Sequence, residues 1–462
     1  MIRRFGLALS LATAPLAAQA AGEVTEFTLD NGMQVVVIED HRSPAVTHMV
    51  WYRAGSADEM PGQSGVAHFL EHLMFKATEE MESGEFSEVV EANGGSDNAF
   101  TSWDYTAYHQ RIAADRLGLM MQMEADRMRN LVITEAEVET ERQVILEERA
   151  QRTDSSAGAL FNEQMAATIY LNHPYGRPII GWRHEMEELD LQDALDWYNT
   201  HYYPNNAVLI VAGDATPEEV RALAEEHYGP IPANPDLPST EARIRPSEPP
   251  HIADRRVIYE DPRVANPYVS INFLAPERNS GDQEDAAALT LLREVLGGSG
   301  FTSVLPRELQ LEDERSLFAG AYYNGMDLDP RTFTLVNMPL PGTSLEQAEA
   351  DLLAEIDEFL EEGIDPEQFA RIQFQIEAAR IYEQDDAAGV ARTYGAALTS
   401  GLTVEDVQAW PDILANTTIE DVMEAARTVF SQEATVTGYL MRPTPPAEDS
   451  DDTAAADEEM SQ

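Results

Sequence analysis

Three polar side chains interrupt the apolar run AHFLEHLMF (Ala67–Phe75): His68, Glu71 and His72. Burying them costs several kcal/mol unless they are paired, hydrogen-bonded or on a metal. On a helix, positions i, i+3 and i+4 share one face, so both imidazoles can reach one ion, with Glu71 beside them. Two imidazoles and a carboxylate, with water in the fourth position, make a catalytic zinc shell. Glu71 is adjacent to His72 and badly placed to complete that shell, but well placed to take a proton from a water. The third ligand must come from elsewhere.

The stretch TEAEVETERQVILEERAQR (Thr134–Arg152) offers candidates. Thr134 and Glu137 form a capping box that starts a helix. Glu141 and Glu148, two turns apart, share a face that Val144 and Ile145 make partly apolar. One of these carboxylates completes the shell and the other orients a histidine. The competing reading is plain: a histidine on an apolar helix is commonly structural, and a glutamate-rich helix is commonly a solvated face.

A repeat weighs between them. VIEDHR (Val37–Arg42) matches IYEDPR (Ile258–Arg263) at an offset of 221 residues, and the strand, loop and helix that follow each match without a gap. Two similar α/β (α+β) domains are expected, each with a mixed, mostly antiparallel sheet packed with helices. At that offset His68, Glu71 and His72 fall on Leu289, Leu292 and Arg293. The fold therefore does not require the polar trio.

The remaining elements frame this site. Strands are expected at Phe27–Asp30 and Gln34–Glu39 around Asn31-Gly32, at Ala45–Gly55, and at Asn206–Asp214. Helical patterns cover Gly65–Phe75, Glu85–Asn93, Arg111–Arg129, Glu135–Arg152 and Thr216–Gly229. Residues 1–20 read as an export signal: Arg3 and Arg4, an apolar run from Phe5 to Ala18, and a small-x-small site at Ala18-Gln19-Ala20. That run is shorter than the roughly 20 residues of a membrane span, and no later segment is long and apolar enough. The chain is expected in the periplasm. The expected domains are 21–232, bearing the trio, and 251–442, without a metal site. A proline-rich linker spans 233–250, and an acidic tail spans 443–462.

The 462 residues hold 83 Asp and Glu against 30 Lys and Arg, a net charge of −53; Lys76 is the single lysine, and there is no cysteine. Disulfides, thiolate metal sites and cysteine nucleophiles are excluded. So negative a field repels nucleic acid and anionic membranes. The acids are spread along the whole chain, which favours adaptation to salt over one specific basic partner.

GxAHFLEHLMFKAT carries the inverted zinc motif H-x-x-E-H and resembles the pitrilysin-type metallopeptidases, in the branch of mitochondrial processing peptidase. LDNGMQVVVIED, GGSDNAFTSWDYTAYH, HPYGRPIIGW and YYPNNAVLIVAGD are similar to further segments of that family. The resemblance covers the expected mature chain except the acidic tail and is looser in the second half. It implies a third ligand about 75 residues beyond His72, which here is Glu148. It also implies an accessory acid at Glu141, one Zn²⁺ held by His68, His72 and Glu148, and Glu71 as general base. DNAFTSWDY implies an edge strand that receives an extended peptide through Asn98, Ala99 and Phe100.

The family also uses an arginine and a tyrosine, seven residues apart, from a second-half domain. Here those places fall on Gln310 and near Leu317 or Phe318. Arg307, Arg315, Tyr322 and Tyr323 are close by but out of phase. The resemblance therefore implies half of a clam-shell chamber. Its expected partner is a homologous zinc-less subunit that supplies the pair, with a homodimer as the alternative. The expected activity is zinc-dependent cleavage of extended or unfolded peptides. The competing expectation is a catalytically silent peptide-binding or scaffold subunit.

Overall fold

The computed structural model describes residues 22–237, 243, 245–298 and 300–443. The segment expected as an export signal, part of the expected linker 233–250 and nearly all of the acidic stretch 443–462 lie outside them. Among the described residues no helix is long and apolar enough to cross a membrane.

Among the described residues, eleven strands form two sheets. The first contains β1 (Val24–Thr28), β2 (Gln34–Glu39), β3 (Ala45–Tyr52), β4 (Ser96–Thr101), β5 (Thr106–Ala113) and β6 (Ala207–Gly213), in the order β1-β2-β6-β3-β5-β4. The second contains β7 (Arg255–Glu260), β8 (Tyr268–Ala275), β9 (Ser316–Tyr322), β10 (Arg331–Pro339) and β11 (Val436–Met441), in the order β7-β11-β8-β10-β9. Apart from β1 the two orders are the same. Each sheet has one parallel pair, β2 with β6 and β7 with β11, and is otherwise antiparallel. β7 starts 221 residues after β2, at the offset read from the sequence.

The fully buried strand β6 (AVLIVAG) lies in the middle of its sheet, where near-continuous apolar runs belong. One sequence expectation moves. Arg111–Ala113 close the ladder with β3, and the helix that follows begins only at Leu117. Pairing across the sheet outweighs the local helical pattern.

The units exchange helices. Ala157–Ile169, from the first half, lays Phe161, Met165 and Ile169 against Val436 and Leu440 of the second sheet. Ala387–Thr399, from the second half, lays Ala391, Tyr394 and Leu398 against Met49, Trp51 and Ile210 of the first. Glycines make room at both crossings: a Cβ on Gly438 would collide with Phe161 and Met165, and one on Gly395 with Trp51.

Arg243 and Arg245 add a charged clasp. Arg245 reaches Asp58 at 2.9 Å, Asp104 at 2.5 Å and Asp329 at 3.0 Å, and Arg243 reaches Asp58 at 2.6 Å. Asp58 follows β3, Asp104 lies in the β4–β5 turn and Asp329 precedes β10, so both halves are tied. Asp104 also accepts from Tyr175 and from the backbone of Leu328.

Candidate metal centre

The helix Val66–Leu73 carries the trio. Gly65 starts it at φ 92°, and a Cβ there would press on Ile180 O at 2.6 Å, so glycine is required twice over. The buried Glu59 carboxylate accepts from Gly65 N and Ala67 N at 3.0 Å each, filling two of the orphan donors of the first turn. Phe69, Leu70 and Leu73 enter the core of the first half. At the 221-residue offset Leu289 and Leu292 are themselves core residues of the second half.

The facing helix Glu135–Arg149 starts on the expected Thr134–Glu137 capping box. It widens into a π turn at Ala150–Asp154, a distortion that recurs at functional sites. Arg149 fastens it to Glu163 at 2.7 Å and to Gly181 O at 2.9 Å.

His68, His72 and Glu148 each offer a ligand atom within 4.8 Å of one another. Glu148 Oε2 lies 3.6 Å from His68 Nε2 and 3.4 Å from His72 Nε2. Ligands of a tetrahedral zinc, each about 2.0–2.1 Å from the ion, stand about 3.3 Å apart. Glu148 Oε1 is taken by Arg152 at 2.6 Å, whereas Oε2 is buried with no hydrogen-bond partner. An orphaned carboxylate oxygen between two imidazole nitrogens fits a divalent cation.

Electrostatics suit the same use. Burial, with His72 and Arg152 nearby, pushes His68 down to about 3, so it is a neutral donor at neutral pH. His72 Nδ1 donates to Glu141 Oε1 at 2.8 Å, which turns Nε2 towards Glu148. That hydrogen bond, against burial and with help from Lys76 at 2.6 Å, holds Glu141 at about 2. Burial pushes His72 down, but the bond to Glu141 and the charges of Glu71 and Glu148 leave it raised. Burial pushes Glu71 up, partly offset by a hydrogen bond from Thr101.

All three ligand candidates and Glu71 line one cavity of about 1620 Å³. Asn98, Ala99, Phe100 and Thr101 line it from β4, the edge strand of the first sheet. Phe100 also sets its ring edge-on against Trp51, 5.1 Å between centroids. Glu141 stands behind His72 rather than on the cavity wall. The second sheet closes the far side with Tyr268, Asn272, Tyr322, Arg331 and Thr334.

Thr101 and Lys76 are the contributors that sequence reasoning passed over. Both lie inside segments it singled out, but their partners are distant in the chain. Tyr322, out of phase by alignment, reaches the cavity wall as well.

The first half of the chain, residues 34–182, matches the family model described as insulinase (peptidase family M16). Residues 188–376 match the model described as peptidase M16 inactive domain. Zinc protease PqqE of Helicobacter pylori is 28% identical over 425 residues, covering 89% of this chain and 91% of that protein. An uncharacterised zinc protease of Mycobacterium leprae is 32% identical over 353 residues, covering 74% of this chain and 75% of its own. The crystal structure of a protease from Helicobacter pylori superposes with a TM-score of 0.84 at 26% identity, covering 92% of this chain and all of that one. With both halves matched in order and zinc proteases aligned along most of its length, the chain belongs to the M16, or insulinase, family of peptidases.

Proposed function

We propose that the chain is a zinc-dependent endopeptidase that cuts extended or unfolded peptides inside a closed chamber. The observation that carries this is the convergence of His68, His72 and Glu148 in one cavity with Glu71 and the free edge of β4.

In this reading His68, His72 and Glu148 hold one zinc ion. Zinc, when bound, polarises the scissile carbonyl and makes a water acidic near neutral pH. Glu141 orients His72 through Nδ1. Glu71 takes a proton from the attacking water and returns it to the leaving amine. The edge of β4 takes the peptide as an added strand, with Asn98, Ala99 and Phe100 offering backbone contacts.

A second chain completes the chamber, a zinc-less homologue that supplies the missing arginine and tyrosine. Gln310, Leu317 and Phe318 at the expected places support this. The Arg3-Arg4 pair, the apolar run Phe5–Ala18 and the small-x-small site at Ala18-Gln19-Ala20 support export to the periplasm.

The test is hydrolysis of a quenched unfolded peptide by the zinc-loaded chain, alone and with a homologue bearing Arg and Tyr seven residues apart. Cleavage that needs the partner and stops on chelation supports the proposal. A zinc-free chain that binds peptide and never cleaves favours the silent scaffold.

A further inference from the structure

One of the chain's 30 cationic side chains is a lysine, and it stands behind the metal centre. Lys76 follows the helix that carries the trio, and its Nζ lies 2.6 Å from Glu141 Oε2. The other oxygen of that carboxylate, Oε1, accepts from His72 Nδ1 at 2.8 Å. The Glu141 side chain is 9% exposed and that of Lys76 23%, so the pair is largely out of water. Each oxygen thus has its own donor: an ammonium on one, a candidate metal ligand on the other.

The two cationic residue types differ at such a place. An ammonium is a compact point charge and can sit on one carboxylate oxygen. A guanidinium is a planar fork that matches both oxygens of a carboxylate at once. An arginine here would compete with His72 for Oε1 and free the imidazole to turn. Elsewhere the chain uses arginine throughout, including forks on both oxygens of Glu349, Asp261 and Glu377.

We infer that Lys76 is a positioning residue for the metal centre, clamping one oxygen of Glu141 so that the other holds His72, and that arginine cannot replace it. The inference rests on the reading of His68, His72 and Glu148 as zinc ligands. Lys76 acts through Glu141 on His72, and its loss loosens the imidazole without removing any ligand. A merely structural cation would be replaced by arginine without effect.

The test is zinc affinity, measured by competition with a chromophoric chelator, for the whole chain and its Lys76→Met and Lys76→Arg variants. Melting of the metal-free proteins confirms that each is folded. Both variants are expected to bind zinc about 10-fold more weakly than the parent, as for lost outer-shell support. Parent-like affinity in either variant overturns the inference. If a variant does not fold, acetylation of the folded parent replaces it, because Lys76 carries the only ε-amine. Acetylation should weaken zinc binding similarly, and unchanged affinity overturns the inference. A parent chain without zinc affinity overturns the metal reading itself, which separates the two failures.

Discussion

Thr101 Oγ1 donates to Glu71 Oε2 across 2.5 Å, joining the edge strand β4 to the proposed general base. The strand expected to receive substrate therefore also holds the carboxylate that must meet the water. A hydrogen bond to a charged group contributes about 1.5–3 kcal/mol. Thr101→Val should lower kcat by about 10- to 100-fold with little change in KM or zinc content, and Thr101→Ser should restore it. Removing a donor from the ionised carboxylate raises its pKa, so the acidic limb of the pH–rate profile should move to higher pH. Steady-state kinetics across pH check both. A Thr101→Val enzyme with the parent's kcat would contradict this role.

Arg245 is the hub of the clasp between the halves, its side chain 4% exposed. Taking it away leaves Asp58, Asp104 and Asp329 close together with Arg243 as the main remaining cation. Removing one partner of a buried ion pair costs about 3–5 kcal/mol. Arg245→Met should lower stability by that amount in urea denaturation. A loss under about 1 kcal/mol would place these charges with exposed pairs.

A net charge of −53 predicts strong self-repulsion at low ionic strength. Salt screens it, the Debye length falling from about 30 Å at 0.01 M to about 3 Å at 1 M. The melting temperature should rise steeply over that range. A flat response would remove the salt-adaptation reading and return attention to a basic partner or substrate.

Much of the candidate site was legible in the sequence because helical spacing is local information. His68, Glu71 and His72 share a face by arithmetic, and the Thr134–Glu137 cap announces the helix that brings Glu141 and Glu148. The duplicated strand order was legible too, since the repeat keeps its offset from β2 to β7. Contacts between distant segments were not. Nothing in AGALFNEQMAATI reveals that Phe161 and Met165 cover the second sheet instead of the first. The same holds for Thr101 on Glu71, Lys76 on Glu141, and Arg243 and Arg245 on Asp58 and Asp104. Each depends on how two elements dock, which propensity and periodicity do not encode.

The proposed cleavage depends most directly on Glu71. Glu71→Gln keeps the shape of the side chain and its place beside Thr101, but removes the base. The measurement is zinc content and peptide cleavage on the same preparations of parent and variant, in whichever assembly the parent is active. Zinc should be retained at the parent's level and cleavage reduced by at least about 100-fold. A Glu71→Gln protein that cleaves at the parent's rate would contradict this role of Glu71.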